Sequence, residues 1–231
     1  MLFKQTSTEE RNVWQLLPLK IYIMDVNKNS YTFTFSAILV VVVAAVLAFA
    51  AESLKPLQKK NVRLEKMQNI LASVKIEATP EDAKEKFDHY IIDQKLLNSK
   101  GELLQDAKLS AFDVDVVKEY KTLAEDERHY PLYIFEHKGE KKYIVPLAGK
   151  GLWGPIWGYV ALDNDMQTVY GSTFDHKTET PGLGAEINQD EFQKKFIGKR
   201  IFDKEGVFVS IKVMKGGSDV AGNIHAVDGI S

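Results

Sequence analysis

Residues 30–51, "SYTFTFSAILVVVVAAVLAFAA", carry no charge and stop abruptly at Glu52. Wound as a helix at 1.5 Å per residue, the stretch spans about 33 Å, enough for one bilayer crossing. A secretory signal peptide is the competing reading, because Ala48-Phe49-Ala50 has small-x-small spacing behind an apolar run. The residues from Tyr31 to Phe35 lengthen the stretch beyond a signal core, and their aromatic rings suit a membrane interface, so an anchor is expected. Beyond it, Val62, Met67, Ile70, Leu71 and Val74 recur at helical spacing within residues 53–74, which predicts that the anchor continues as an amphipathic helix. Thr79-Pro80-Glu81-Asp82 supplies an N-cap, a proline at the first helical position and acids in the first turn, predicting a second helix through about Ile91.

After Tyr130 the period changes to two. "PLYIFEH" and "KKYIVPL" flank Lys138-Gly139-Glu140 as a hairpin, and "GYVALD", "QTVYGSTF" and "VFVSIKV" are further strand candidates. "QDEFQKKFIGK" predicts a short helix stopped by Gly198. The resulting class is α+β: an antiparallel sheet with flanking helices packed to one side, preceded by one N-terminal transmembrane helix. The divisions are a lead-in over 1–29, the transmembrane helix over 30–51, a juxtamembrane helix over 52–76 and a domain over 77–231. Residues 1–23 show little periodicity, and Met24 opens a compact polar lead-in, so Met24 is expected to be the biological start.

Composition changes this picture by exclusion. Thirty Lys and Arg against 32 Asp and Glu leave a net charge of -2, which makes nucleic acid an unfavoured partner. The absence of cysteine removes disulfides, thiol catalysis and cysteine-held metal or iron–sulfur centres. Redox work in such a chain needs a borrowed cofactor. The charges beside the anchor are uneven: Lys55, Lys59, Lys60, Arg63 and Lys66 follow it, whereas Lys28 alone lies close before it. The positive-inside rule then points the C-terminal domain to the cytoplasm, although it carries little weight for a single span feeding a long domain.

Two stretches are candidates for chemistry. Gly149-Lys150-Gly151-Leu152-Trp153-Gly154-Pro155-Ile156-Trp157-Gly158 combines glycines, which allow close backbone approach, with tryptophans, which offer a stackable face. It either walls an aromatic cofactor or is a loop whose tryptophans fill the core. His176-Lys177-Thr178-Glu179-Thr180-Pro181-Gly182-Leu183-Gly184 holds a tight Pro-Gly turn whose successive N–H groups suit carbonyl or phosphate oxygens. His176 has no second ligand at helical or hairpin spacing and is expected to hydrogen-bond rather than bind metal. No catalytic acid–base pair, nucleophile or metal set stands out.

"GLWGPIWGYVALD", "ETPGLG" and "KGG" before "VDGIS", in this order, resemble the C subunits of sodium-translocating NADH:quinone oxidoreductases. The matching subunits of Rnf-type electron-transport complexes are more distantly similar. The resemblance covers Met24 to Ser231 and implies a membrane-anchored flavoprotein subunit of an NADH:ubiquinone reductase (Na+-transporting). Such a subunit relays electrons through covalently bound FMN. The alternative is an anchored FMN-binding or scaffold module without electron transfer of its own.

Family members carry FMN as a phosphoester on the threonine of Asp-Gly-(Ile/Leu)-Ser-Gly-Ala-Thr. Asp228, Gly229, Ile230 and Ser231 match the first half, so the flavin-bearing threonine is expected just beyond Ser231. The positions that resemble flavin-surrounding residues are Gly151, Leu152, Trp153, Gly154, Glu179, Thr180, Gly182, Leu183, Gly184, Asp228, Gly229 and Ser231. Implied partners are the other membrane subunits of the same respiratory complex, a flavin transferase and membrane lipid. The implied location is the bacterial inner membrane, single-pass, with the soluble domain periplasmic.

Overall fold

The computed structural model describes residues 28–105, 108–216 and 220–230. The expectations for residues 1–23 and for Ser231 lie outside them. The chain divides into two units, Met1–Pro56 and Leu57–Ser231.

Helix α1 runs Asn29–Ser73, so the apolar stretch and the segment after it form one helix, with Pro56 inside it. In the first unit its apolar side chains stand outward on every side, from Phe33 through Val41 to Phe49. A helix apolar all round needs an apolar solvent. It is the one described helix long and apolar enough to cross a membrane.

The second unit is built on a five-stranded antiparallel meander in the order β1 (Ile91–Leu97), β2 (Tyr130–His137), β3 (Glu140–Lys150), β4 (Pro155–Leu162) and β5 (Val169–His176). The expected hairpin is present. Lys138 at φ 51° and Gly139 at φ 81° form the two-residue turn that matches strand twist, and His137 pairs with Glu140 across it. The remaining helices are α2 (Ala83–Tyr90), α3 (Val116–Thr122) and α4 (Asp190–Gln193); short 3-10 turns lie at Ala111–Asp113, Glu125–Glu127, Gly184–Asn188 and Lys194–Phe196.

One face of the sheet packs against the end of α1. Met67, Ile70, Leu71 and Val74 meet Phe87 of α2, Phe112, and Tyr133, Phe135, Ile144, Tyr159 and Ala161 of the strands. Val62 does not join them and stays exposed. Five residues before Met67 it is rotated by about 140° around the helix, off the buried stripe. Lys66 is drawn in instead: its Nζ donates to the carbonyls of Phe112 at 2.6 Å and Val114 at 2.9 Å. Burial pushes the Lys66 pKa down to about 8.

The second face is also covered, which corrects the one-sided packing expected from sequence. Val160 and Leu162 of β4, with Val169, Phe192, Phe196 and Val227, form another buried cluster. The run Tyr159-Val160-Ala161-Leu162 is apolar without alternation because β4 is buried on both sides. Two further differences concern element ends. Pro80 to Asp82 form a turn closed by Thr79, whose N–H donates to Asp82 Oδ1 at 2.7 Å, so α2 starts at Ala83. Ile91 already opens β1. "VFVSIKV" is not one strand: Ser210 at φ 57° interrupts it, leaving β6 (Lys212–Met214) to pair in parallel with β7 (Ala226–Asp228).

Helix α1 approaches β5 so closely that a Cβ on Gly171 would lie 2.3 Å from the Ser73 carbonyl oxygen. Thr173 Oγ1 fixes the same contact by donating to the Asn69 carbonyl at 3.1 Å. Because the new Cβ would clash with a helix backbone carbonyl rather than with the end of a flexible side chain, Gly171→Ala is expected to destabilise the second unit by about 1–3 kcal/mol. Thermal unfolding of the variant beside the parent measures it.

Candidate functional site

The β3–β4 hairpin and the end of β5 bring the two candidate stretches together. Lys150 pairs with Pro155 at the tip of β3–β4, and Ile156, the next residue of β4, pairs with His176, the last of β5. Antiparallel registration therefore places residues 151–154 and the segment after His176 at one end of the sheet. Lys177 N–H donates to the Pro155 carbonyl at 3.1 Å, continuing the ladder by one step.

Glu179 joins the two loops. Its Oε1 accepts from the N–H of Trp153 at 2.9 Å and of Gly154 at 3.2 Å. The tip itself closes through Gly151 N–H to the Gly154 carbonyl at 2.7 Å. The glycines around the carboxylate give it room. A Cβ on Gly151 would lie 2.4 Å from Glu179 Oε1, and one on Gly184 would lie 2.9 Å from Oε2. A Cβ on Gly154 would meet Thr178 Oγ1 at 2.4 Å. Close approach at these three positions is thus made by the chain's own side chains, a reason the bare glycine spacing did not reveal. Gly182 differs, since its φ is +75° and nothing lies within 4 Å of an added Cβ. Backbone conformation, not crowding, calls for glycine there.

The turn N–H groups expected to face a ligand are partly committed. Gly182 N–H goes to Glu186 Oε1 at 2.9 Å, and those of Leu183 and Ala185 both go to the Thr180 carbonyl at 3.1 Å. Among the described residues, the N–H groups of Leu152, Thr180 and Gly184 have no acceptor. Beside them Leu152, Trp153 and Leu183 are exposed at 82%, 68% and 53%. Trp153 therefore does not fill the core; Trp157 is half-buried. Unused donors next to an indole face and two leucines fit a flat heteroaromatic ring edged with carbonyls.

Asp228 and Gly229 are positioned separately. Gly229 N–H donates to the Met214 carbonyl at 2.7 Å, and Lys195 Nζ donates to the Asp228 carbonyl at 3.2 Å. Among the described residues no hydrogen bond joins them to the two loops. They connect through packing, because Val227 and Ile230 share a cluster with Phe174 of β5 and with Ile187 after Gly184. Surface cavities of about 570 and 420 Å³ lie along β1 and between α3 and β2–β3, and neither is lined by any candidate residue. Leu152, Trp153 and Leu183 lie exposed at the candidate site.

His176, expected to hydrogen-bond, accepts the Glu179 N–H on Nδ1 at 3.2 Å, and Thr178 and Glu186 make contacts that no sequence feature had singled out. Glu186 was findable, standing four residues past a Pro-Gly turn whose N–H it takes. The other two depend on register.

The FMN-binding domain family matches residues 151–231. The C subunit of the Na(+)-translocating NADH-quinone reductase of Vibrio parahaemolyticus is 31% identical over 208 residues, covering 82% of this chain and 79% of that protein. Its Pseudomonas aeruginosa counterpart is 31% identical over 227 residues, covering 89% and 86%. Among solved structures, the C subunit of the Parabacteroides distasonis enzyme superposes with a TM-score of 0.68 at 42% identity, over 77% of this chain and 84% of its own. NqrC from Shewanella oneidensis gives 0.60 at 27% identity, over 73% and 83%. The chain belongs to the family of Na(+)-translocating NADH-quinone reductase C subunits.

Proposed function

We propose that this chain is the membrane-anchored flavoprotein subunit of a sodium-translocating NADH:quinone oxidoreductase and relays electrons through FMN. The observation that carries the reading is the pair of loops joined by Glu179, with free N–H groups at Leu152, Thr180 and Gly184 beside the exposed Trp153 face. FMN supplies reversible electron acceptance and return, which a chain without cysteine or a metal set among its described residues does not offer through thiols or metals. The residues bind and orient: the free amides suit the ring's carbonyl edge, and Trp153 with Leu152 and Leu183 excludes water from one side.

The flavin is held as a phosphoester on a threonine expected just past Ser231, installed by a flavin transferase. Residues 30–51 anchor the chain once in the bacterial inner membrane, in contact with lipid and the other subunits, with the domain on the periplasmic side. Three of the five basic residues after the anchor have partners in the structure, two of them inside the domain. Arg63 pairs with Asp113, Lys66 serves two carbonyls inside the domain, and Lys55 pairs with Glu52.

Denaturing gel electrophoresis of the protein from its own cells, viewed under ultraviolet light, is expected to show a fluorescent band at its mass. A dark band would favour the scaffold alternative.

Redox titration of the flavinylated protein reads the loops. Trp153→Ala admits water and is expected to raise the flavin midpoint potential, because water favours the more charged reduced form. Each tenfold change in relative binding of the two redox forms corresponds to about 30 mV for a two-electron couple. Gly182→Val forces a β-branched residue into positive φ at a cost of about 1–3 kcal/mol and is expected to disturb the potential more. Lys194→Ala, which removes only an exposed pair with Asp190, is the control and should titrate like the parent.

A further inference from the structure

The turn that presents Glu179 is not closed by backbone. Glu179 N–H donates 3.2 Å to Nδ1 of His176, the last residue of β5. A ring nitrogen that accepts has its lone pair free, so the imidazole proton resides on Nε2. The side chain of Glu179 then crosses to the Trp153 and Gly154 amides. Its backbone is held at one end by His176 and its carboxylate at the other by the neighbouring hairpin. Gly151 and Gly184 leave the carboxylate the space it occupies, but neither donates to it.

We propose that His176 is a positioning residue for the flavin site: its unprotonated Nδ1 fixes the Glu179 backbone and so holds the Glu179 carboxylate as a stationary negative charge between the two loops. The proposal rests on the flavin reading given above. A carboxylate fixed at the cradle opposes the negative charge that reduction brings, whereas one released to solvent is screened by a medium of far higher dielectric constant. Losing the acceptor at residue 176 therefore raises the flavin potential, although His176 touches no cofactor. The loop is largely exposed and buries little apolar area, so stability is the wrong place to look for its effect.

Two measurements on the full-length chain test this. The first is long-range proton–nitrogen correlation of histidine side chains in detergent micelles at about pH 8, above the ordinary histidine range. His176, assigned by its loss in His176→Leu, is expected as the Nε2–H tautomer whether or not flavin is present. The Nδ1–H tautomer would overturn the proposal.

The second is redox titration of the flavinylated protein. His176→Leu and Glu179→Gln should each shift the potential upward, and the double variant should shift no further than Glu179→Gln alone, because the histidine acts only through the carboxylate. His176→Asn places Oδ1 where Nδ1 was and should restore the parent value; His176→Gln, one bond longer, should not. A parent-like His176→Leu, additive shifts, or Asn and Leu behaving alike would each overturn the proposal. If the protein proves to carry no FMN, the flavin reading fails by itself, and the tautomer measurement still decides whether His176 holds Glu179.

Discussion

Strand β4 sets the position of almost everything that matters in the second unit. It is hydrogen-bonded on both edges and buried on both faces, Tyr159 and Ala161 toward the helix α1 cluster, Val160 and Leu162 toward Phe192 and Phe196. A one-residue slip would exchange these two sets and bring Tyr159 into the wrong core, so register is strongly specified. The same register fixes Pro155 opposite Lys150 and Ile156 opposite His176, which delivers two loops distant in sequence to one end of the sheet. The core residues of β4 thereby act on the candidate site without touching it.

Gly158 and Gly171 show how tightly that arrangement is packed. A Cβ on Gly158 would fall 2.2 Å from the Thr173 carbonyl oxygen of β5, and one on Gly171 would strike α1. Neither glycine has positive φ. They serve backbone proximity, letting a neighbouring strand and a helix end come closer than a methyl group permits. Sequence alone assigned Gly171 no role and offered Gly158 only as one of the glycines that allow close backbone approach to a ligand, because a glycine inside a strand pattern announces a close approach without naming its partner.

The legible and illegible parts of the chain divide along that line. The apolar run of residues 30–51, the Lys138-Gly139 turn and the strands on either side of it follow from local chemistry and were readable. The unbroken apolar run of "GYVAL" carried a signal of burial on both faces, but not which residues cover the second one, because Phe192, Phe196 and Val227 lie far along the chain. The break in "VFVSIKV" escaped for a different reason: Ser210 adopts positive φ, which β-branched neighbours give no cause to expect. At the candidate site, the two loops that the resemblance picked out lie together at one end of the sheet, and the structure gives their glycines a local reason. Three of them make room for Glu179 and Thr178, and only Gly182 has the backbone conformation that glycine is chosen for.

Glu179 and Glu186 change the electrostatic meaning of a glycine-rich turn. Successive free N–H groups would make a concavity that attracts anions. Here carboxylates of the chain itself occupy the amides of Trp153, Gly154 and Gly182. The positive ends of those dipoles are spent on internal negative charge, so the surface they leave is suited to a neutral heteroaromatic ring and not to a free phosphate. The backbone donors left beside Trp153 are the amides of Leu152, Thr180 and Gly184. The two segments of the candidate site are also held separately: Asp228 and Gly229 by Lys195 and the Met214 carbonyl, the Glu179 loop by the amides of the β3–β4 hairpin.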